Sequence, residues 1–195
     1  MKLAISKSSM EQALLDGCRM GSRNAQKELY ERLSGKMLGL CRRYIADNLE
    51  AEGVMVNGFL KVFDKINQFT GQGSFEGWVR RIMVNESLYY LRKNKTMYLE
   101  VDLDQIKSSG ESELVSQDLL VDDLLTMVNN LPMGYRTVFN LFAIEGYSHK
   151  EIAKILEITP GTSKSQLSRA RLILQKQIVQ YDRIKENKSL EHGKA

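Results

Sequence analysis

Between Ser148 and Lys176 the chain reads SHKEIAKILEITPGTSKSQLSRARLILQK, and this run restricts the fold more than any other. It contains two short helical patterns at a sharp angle, the second strongly basic, which is the arrangement of a helix-turn-helix. Ser148 and Glu151 have the spacing of a capping box, in which hydroxyl and carboxylate satisfy each other's orphan backbone donors. Ile152, Ile155 and Leu156 then form the inward face of the first helix, and Ala153 is small where two such helices cross. Thr159 followed by Pro160 supplies an N-cap and a residue suited to the first helical position. Leu167, Ala170 and Leu174 recur at helical spacing and are expected to pack inward. Lys164, Ser165, Ser168, Arg169, Arg171 and Lys176 are left on or beside the outer face. From Pro160 to Lys176 there is no acidic residue. A helix of this kind lies in the major groove of duplex DNA, where Arg and Lys bond guanine edges or phosphates and Ser adapts to either. The plainer reading, a helical hairpin with a solvated basic face, leaves the coincidence of cap, crossing alanine, Thr-Pro start and acid-free helix unexplained.

Composition agrees with a helical chain. There are only two prolines, and Leu, Ile, Met, Lys and Glu are frequent. A length of 195 residues allows one domain or two small ones. The formal net charge of +4 is too small by itself to imply a polyanion partner, but its uneven placement points toward one. Cys18 and Cys41 are the only cysteines, both in helical patterns, and are expected to be reduced buried thiols. No run of about eighteen apolar residues exists, and Met1 to Met10 lacks the apolar core of a secretion signal. The expectation is a cytoplasmic protein without membrane insertion.

The chain is helix-rich, then polar, then helix-rich again. Residues 96–118 include DLDQIKSSGESELVSQD, where acids, serines and a glycine replace apolar periodicity, as in an exposed linker. An all-α fold follows, with one small helical domain over residues 1–95, a linker over 96–118, and a second domain over 119–195 that carries the helix-turn-helix and a polar tail. One globule with a long surface loop is the alternative, but loops of this length are uncommon inside compact domains. In the first block, Leu29, Leu33, Met37, Leu40 and Tyr44 predict helix over about Ala25 to Ala46, as a single element or a nearly continuous pair. Met55, Phe59, Val62, Phe63 and Ile66 repeat the pattern. After TGQG at Thr70 to Gly73, the run SFEGWVRRIMVNESLYYLRKNK puts Phe75, Trp78, Val79 and Ile82 on one face. Arg80, Arg81, Asn85, Arg92, Lys93 and Lys95 interleave with Tyr89 and Tyr90 on the other, a mixture able to hold phosphates while aromatic and amide groups engage unstacked bases.

Together these blocks resemble the sigma-70 family of bacterial RNA polymerase specificity subunits, in its compact extracytoplasmic function (ECF) group. AEGVMVNGFLKVFDKINQF (Ala51 to Phe69) and SFEGWVRRIMVNESLYYLRK (Ser74 to Lys93) are similar to the family's regions two-two to two-four. LPMGYRTVFNLFAIEGYSHKEIAKILEITPGTSKSQLSRAR (Leu131 to Arg171) is similar to region four. The resemblance implies a specificity factor that binds RNA polymerase core and promoter DNA, with a membrane-linked anti-sigma partner and no cofactor. The second domain would hold the upstream promoter element as duplex, with Lys164, Ser165, Ser168 and Arg169 near base edges and Arg171 and Lys176 nearer phosphate. The first would hold the downstream element as a melted non-template strand through Phe69, Ser74, Arg80, Arg81, Asn85, Tyr89, Arg92 and Lys93. Asn85 and Tyr89 would lie where the duplex opens, and Phe69 to Ser74 would form a loop that captures an extruded base. Core polymerase would meet Glu50, Glu52, Asn57, Lys61 and Asp64.

The chain departs from the family pattern at several positions. Gly53 stands where an acid is usual, Val56 and Asn57 where polar or acidic residues are usual, and Gly53 and Gly58 each weaken a helix by about 1 kcal/mol relative to alanine. Ser163 replaces a usual valine, Gln166 an arginine, and Glu157 a glycine in the helix-turn-helix turn, at some cost in backbone strain.

Two other functions fit the same residues less well. A helix-turn-helix regulator acting without polymerase explains the C-terminal motif but not the Trp78 to Lys95 run. An enzyme finds little support, because the two histidines, His149 and His192, stand in the motif and in the polar tail. No metal-ligand cluster, phosphate loop or nucleophile-base-acid set is present in the sequence. Asp102, Asp104, Asp122 and Asp123 are read as linker solubility and a helix start.

Since both expected DNA surfaces depend on Lys and Arg, promoter affinity is expected to drop by orders of magnitude between about 50 and 200 mM salt. A flat salt titration would count against this placement of the basic residues.

Overall fold

The computed structural model describes residues 2–94 and 121–192, with side-chain surroundings over 11–94 and 123–183. The expected linker, Asp102 and Asp104 lie outside the described residues, as does Lys95. The chain divides into two compact units, Met1–Asn94 and Lys95–Ala195, and every regular element among the described residues is helical.

The first unit holds α1 (Lys2–Arg19), α2 (Arg23–Tyr44), α3 (Asn48–Lys65), a 3-10 turn (Ile66–Gln68) and α4 (Phe75–Lys93). The α2 stripe forms one continuous helix, with Leu29, Leu33, Met37, Leu40 and Tyr44 all buried. They pack with Met55, Phe59, Val62 and Ile66 of the next segment, while Leu14, Leu15 and Cys18 lay α1 against α2. Both cysteines are free and buried, as expected. Burial pushes the Cys41 thiol up to about 11, against the smaller opposing effect of its hydrogen bond with Ser87, so it stays protonated.

Two expectations change here. The buried stripe of α4 is Phe75, Val79, Met83, Val84, Ser87, Leu88 and Leu91, whereas Trp78 and Ile82 are half-buried on its flank. Helix α4 packs on both α2 and α3, and the wide contact draws in Met83 and Val84 in place of Ile82. Gly58 is also more than a weak point in α3. It is buried, and a Cβ there would overlap the sulfur of Met83, so the absent side chain is what makes room for the Met83 thioether between α3 and α4.

The second unit runs α5 (Val121–Asn129), α6 (Met133–Phe139), a wider π-type turn (Asn140–Ile144), α7 (His149–Leu156) and α8 (Pro160–His192). Leu131, Tyr135 and Ala170 form a core cluster, with Phe139, Ile173 and Leu174 packed against it. Val138, Leu141, Ile152, Leu156 and Leu167 are buried as well. Leu174 and Ile155 are half-buried, so the inward faces of α7 and α8 are slightly narrower than their periodicity implies. Tyr181 donates its hydroxyl to Asp123 Oδ2 at 2.8 Å, tying α8 to the start of α5. Beyond Tyr181 the helix continues to His192. No helix among the described residues is long and apolar enough to cross a membrane.

Gly58→Ala is expected to destabilise the protein by about 1–3 kcal/mol through overpacking against Met83. At Gly53 a Cβ would meet nothing within 4 Å. Gly53→Ala is therefore expected to stabilise by up to about 1 kcal/mol. Urea unfolding of the two variants tests the contrast, and a gain in both would place Gly58 outside the crossing.

Candidate nucleic-acid interface

The helix-turn-helix is assembled by its local chemistry. Ser148 and Glu151 form the expected capping box: the Ser148 amide donates to Glu151 Oε2 at 2.8 Å, and the Glu151 amide to Ser148 Oγ at 3.3 Å. The Ser148 amide's bond to the carboxylate, with the Ser148 hydroxyl bond second, holds the Glu151 carboxyl below its ordinary range. Glu157 closes α7 in the left-handed region, at φ 57° and ψ 39°, where an L side chain costs about 1–2 kcal/mol. Thr159 Oγ1 accepts the Thr162 amide at 3.0 Å and caps α8, with Pro160 as its first residue.

Ser163 is fully buried, and its hydroxyl lies 2.9 Å from His149 Nδ1. This bond joins the first turn of α8 to the first turn of α7 and gives the unexpected serine a structural role. His149 also stacks on Phe142, with ring centroids 4.5 Å apart, and the Arg171 guanidinium lies 5.9 Å from the Phe142 centroid. Sequence spacing did not disclose this chain of contacts.

On α8, Lys164, Ser165, Ser168, Arg171 and Lys176 are exposed. Ser165 Oγ donates back to the Thr162 carbonyl at 3.0 Å, so its hydroxyl proton is already engaged. Arg169 is half-buried on the flank facing α6, and its Nη1 donates to the Tyr135 hydroxyl at 3.3 Å. Lys164, Ser168 and Arg171 therefore form the most open line, with Arg169 beside it.

In the first unit, Arg81, Asn85, Tyr89, Arg92 and Lys93 are exposed along α4, and Tyr89 is 54% exposed. Their spacing places Arg81, Asn85, Tyr89 and Arg92 on one face. Arg80 departs from this line and is half-buried toward the flank. Ser74 caps α4, its hydroxyl accepting the Gly77 amide at 3.0 Å. Phe69 requires correction as a base contact. It is 7% exposed and packs against Phe75 and Trp78 at centroid distances of 5.2 and 5.7 Å. Its ring roots the 70–74 loop, and beside it Trp78 is half-buried.

The outward face of α3 also differs from expectation. Glu52, Asn57 and Asp64 are exposed, but two charged residues assigned with them are engaged across the α3–α4 contact. Lys61 Nζ bonds Glu86 Oε1 at 2.6 Å and lies 5.4 Å from the Tyr89 centroid. Glu50 accepts a hydrogen bond from Tyr90, which after partial burial is the second cause raising that phenol above its ordinary range. Between the remaining polar groups run Leu49, Val56 and Leu60, exposed by 79, 41 and 62%, with Gly53 among them. Sequence reasoning passed over this apolar line, although the spacing of Leu49, Val56 and Leu60 was its signal.

The molecule is thus an all-helical, two-unit DNA-binding protein with a helix-turn-helix in its second unit and an aromatic-basic face in its first. The family model "Sigma-70 region 2" matches residues 29–96, and "Sigma-70, region 4" matches residues 122–174. The ECF RNA polymerase sigma-E factor of Haemophilus influenzae is 30% identical over 183 residues, covering 86% of this chain and 95% of that one. The ECF RNA polymerase sigma factor SigW of Bacillus subtilis is 28% identical over 173 residues, covering 82% of this chain and 92% of that one. Among solved structures, the sigma factor RpoE of Bartonella quintana, determined with the anti-sigma factor NepR, gives a TM-score of 0.49 at 22% identity, covering 77% of this chain and 94% of that one. The chain belongs to the sigma-70 family of RNA polymerase sigma factors, in its ECF group.

Arg169→Ala is expected to weaken binding to the preferred duplex by about 1–3 kcal/mol and to relax selectivity at one base pair. Fluorescence titration against a panel of single-base variants checks this, and equal loss on every duplex would make Arg169 a phosphate contact.

Proposed function

We propose that this protein is a sigma factor that binds RNA polymerase core in the cytoplasm and directs promoter recognition, melting and transcription initiation without itself catalysing a reaction. The observation that carries the reading is the succession, in one chain, of the two sigma-70 regions over residues 29–96 and 122–174. Residues 119–195 would read the upstream element as duplex through Lys164, Ser165, Ser168 and Arg169, with Arg171 and Lys176 toward phosphate. Residues 1–95 would hold the melted non-template strand along Arg81, Asn85, Tyr89, Arg92 and Lys93, beside the loop that Ser74 ends. Residues 96–118 would span the core between these contacts, and an anti-sigma protein would hold the factor inactive. Capture of extruded bases offsets unstacking of a few kcal/mol per step, so strand opening needs no fuel from this subunit.

Core polymerase would dock on the outward face of α3. Leu49, Val56 and Leu60 supply an exposed apolar line there, and Glu52 and Asp64 flank it with negative charge. Such a line replaces part of the charge pairing expected at Gly53 and Val56, since contiguous exposed apolar surface marks partner contacts. A regulator acting without polymerase would leave this face without a role.

The deciding experiment is transcription by purified bacterial core polymerase on pooled genomic fragments, with and without the protein, followed by mapping of transcript starts. New starts sharing two spaced upstream elements are expected. None, with tight duplex binding in the absence of core, would overturn the sigma-factor reading. Leu60→Glu is expected to reduce core affinity at least tenfold, a cost of about 1.4 kcal/mol, while leaving duplex binding unchanged; unaltered co-elution with core would remove α3 from the docking surface.

A further inference from the structure

Helix α1 lies outside both surfaces described above, yet its last turn reaches the loop that leads into α4. Arg19 forks there between two partners. Its Nη1 pairs with Asp16 Oδ1 at 2.9 Å, one turn back, and its Nη2 donates to the Phe69 carbonyl at 3.1 Å, fifty residues further along the chain. Phe69 is the last residue before the 70–74 loop, and its ring is fixed by Phe75 and Trp78. At the far end Ser74 is fixed by capping α4. Between these anchors Gly71 and Gly73 both sit at φ 80°, a backbone that L side chains rarely adopt.

We propose that Arg19 is a positioning residue for strand capture, holding the 70–74 loop ready for an extruded base; the inference rests on the sigma-factor reading. Magnitudes favour this over a purely structural role. The Asp16–Arg19 pair is partly exposed and close in sequence, and pairs of that kind contribute little to stability. The bond to the Phe69 carbonyl instead acts on the loop, because a charged donor fixes the backbone where two left-handed glycines begin. A loop ordered beforehand binds without meeting the ordering cost at the moment of capture. The planar guanidinium suits the task, since it offers separate donors to the carboxylate and the carbonyl in one fixed geometry.

The test uses the full chain with core polymerase on a promoter obtained by start mapping, with 2-aminopurine placed in turn along the non-template strand. Arg19→Ala is expected to lower the extent of opening about tenfold, the size of one hydrogen bond to a charged group, while core binding and closed-promoter binding stay within about twofold. Removing the captured base, by an abasic site, is expected to weaken the wild type and to have little effect on Arg19→Ala, since the two changes disrupt the same interaction. Arg19→Met keeps the stem and helix propensity but no donor, and is expected to match Arg19→Ala; it decides the matter if the alanine variant melts early. Opening by Arg19→Met equal to wild type, or the same abasic penalty in both, would overturn the brace. If the wild type opens no promoter, the sigma-factor reading fails first and this inference falls with it.

Discussion

Every helix begins with backbone N–H groups that have no partner inside the helix, and this protein meets that constraint with a short polar side chain at the start of five of its described helices. Ser22 caps α2, Asp47 caps α3, Ser74 caps α4, Ser148 caps α7 and Thr159 caps α8. The caps fix where each loop ends. Ser74 ends the glycine loop before α4, and Thr159 sets the first turn of the helix expected in the DNA groove. Since α7 and α8 are joined by only three residues, the caps together with Glu157 in its left-handed conformation leave little freedom in the angle between them.

Close packing then decides which polar residues remain available. Gly58 leaves the space of a side chain open on α3, and Met83 of α4 fills it. Across the same α3–α4 contact Lys61 reaches Glu86, which is only 8% exposed, and Glu50 reaches Tyr90. A nearly buried carboxylate without a partner would be costly, so Lys61 is better explained as its counter-ion than as a free surface charge. Its ammonium also lies near the Tyr89 ring, which places a member of the α3 surface beside the exposed polar face of α4. In the second unit, the buried Ser163 and His149 form a comparable polar contact, while the Tyr135 hydroxyl draws Arg169 toward α6.

The same packing leaves an apolar line outward on α3. Leu49, Val56 and Leu60 are exposed because α2 and α4 already cover the other side of that helix. Under the proposed function, core polymerase would cover this line. The acidic groups at the edges of this line give such a contact a charge preference, and the apolar side chains give it area.

Much of this protein can be read from its sequence. The capping box at Ser148 and Glu151, the Thr159–Pro160 start, the strained Glu157 turn and the stripes of α2 and α3 are local or periodic. Neighbours within one helical turn fix them, so residue spacing was enough. The resemblance of the two blocks to sigma regions two and four was legible for the same reason. What only the tertiary structure decided involves residues far apart in the chain: Gly58 against Met83, Lys61 on Glu86, Phe69 turned into the aromatic cluster, Arg19 on the Phe69 carbonyl and Ser163 on His149. Periodicity tells which face of a helix is apolar but not which helix will cover it, nor which polar side chain that neighbour will use. Whether a lysine or a phenylalanine is left free to meet a partner depends on that choice, and only packing makes it.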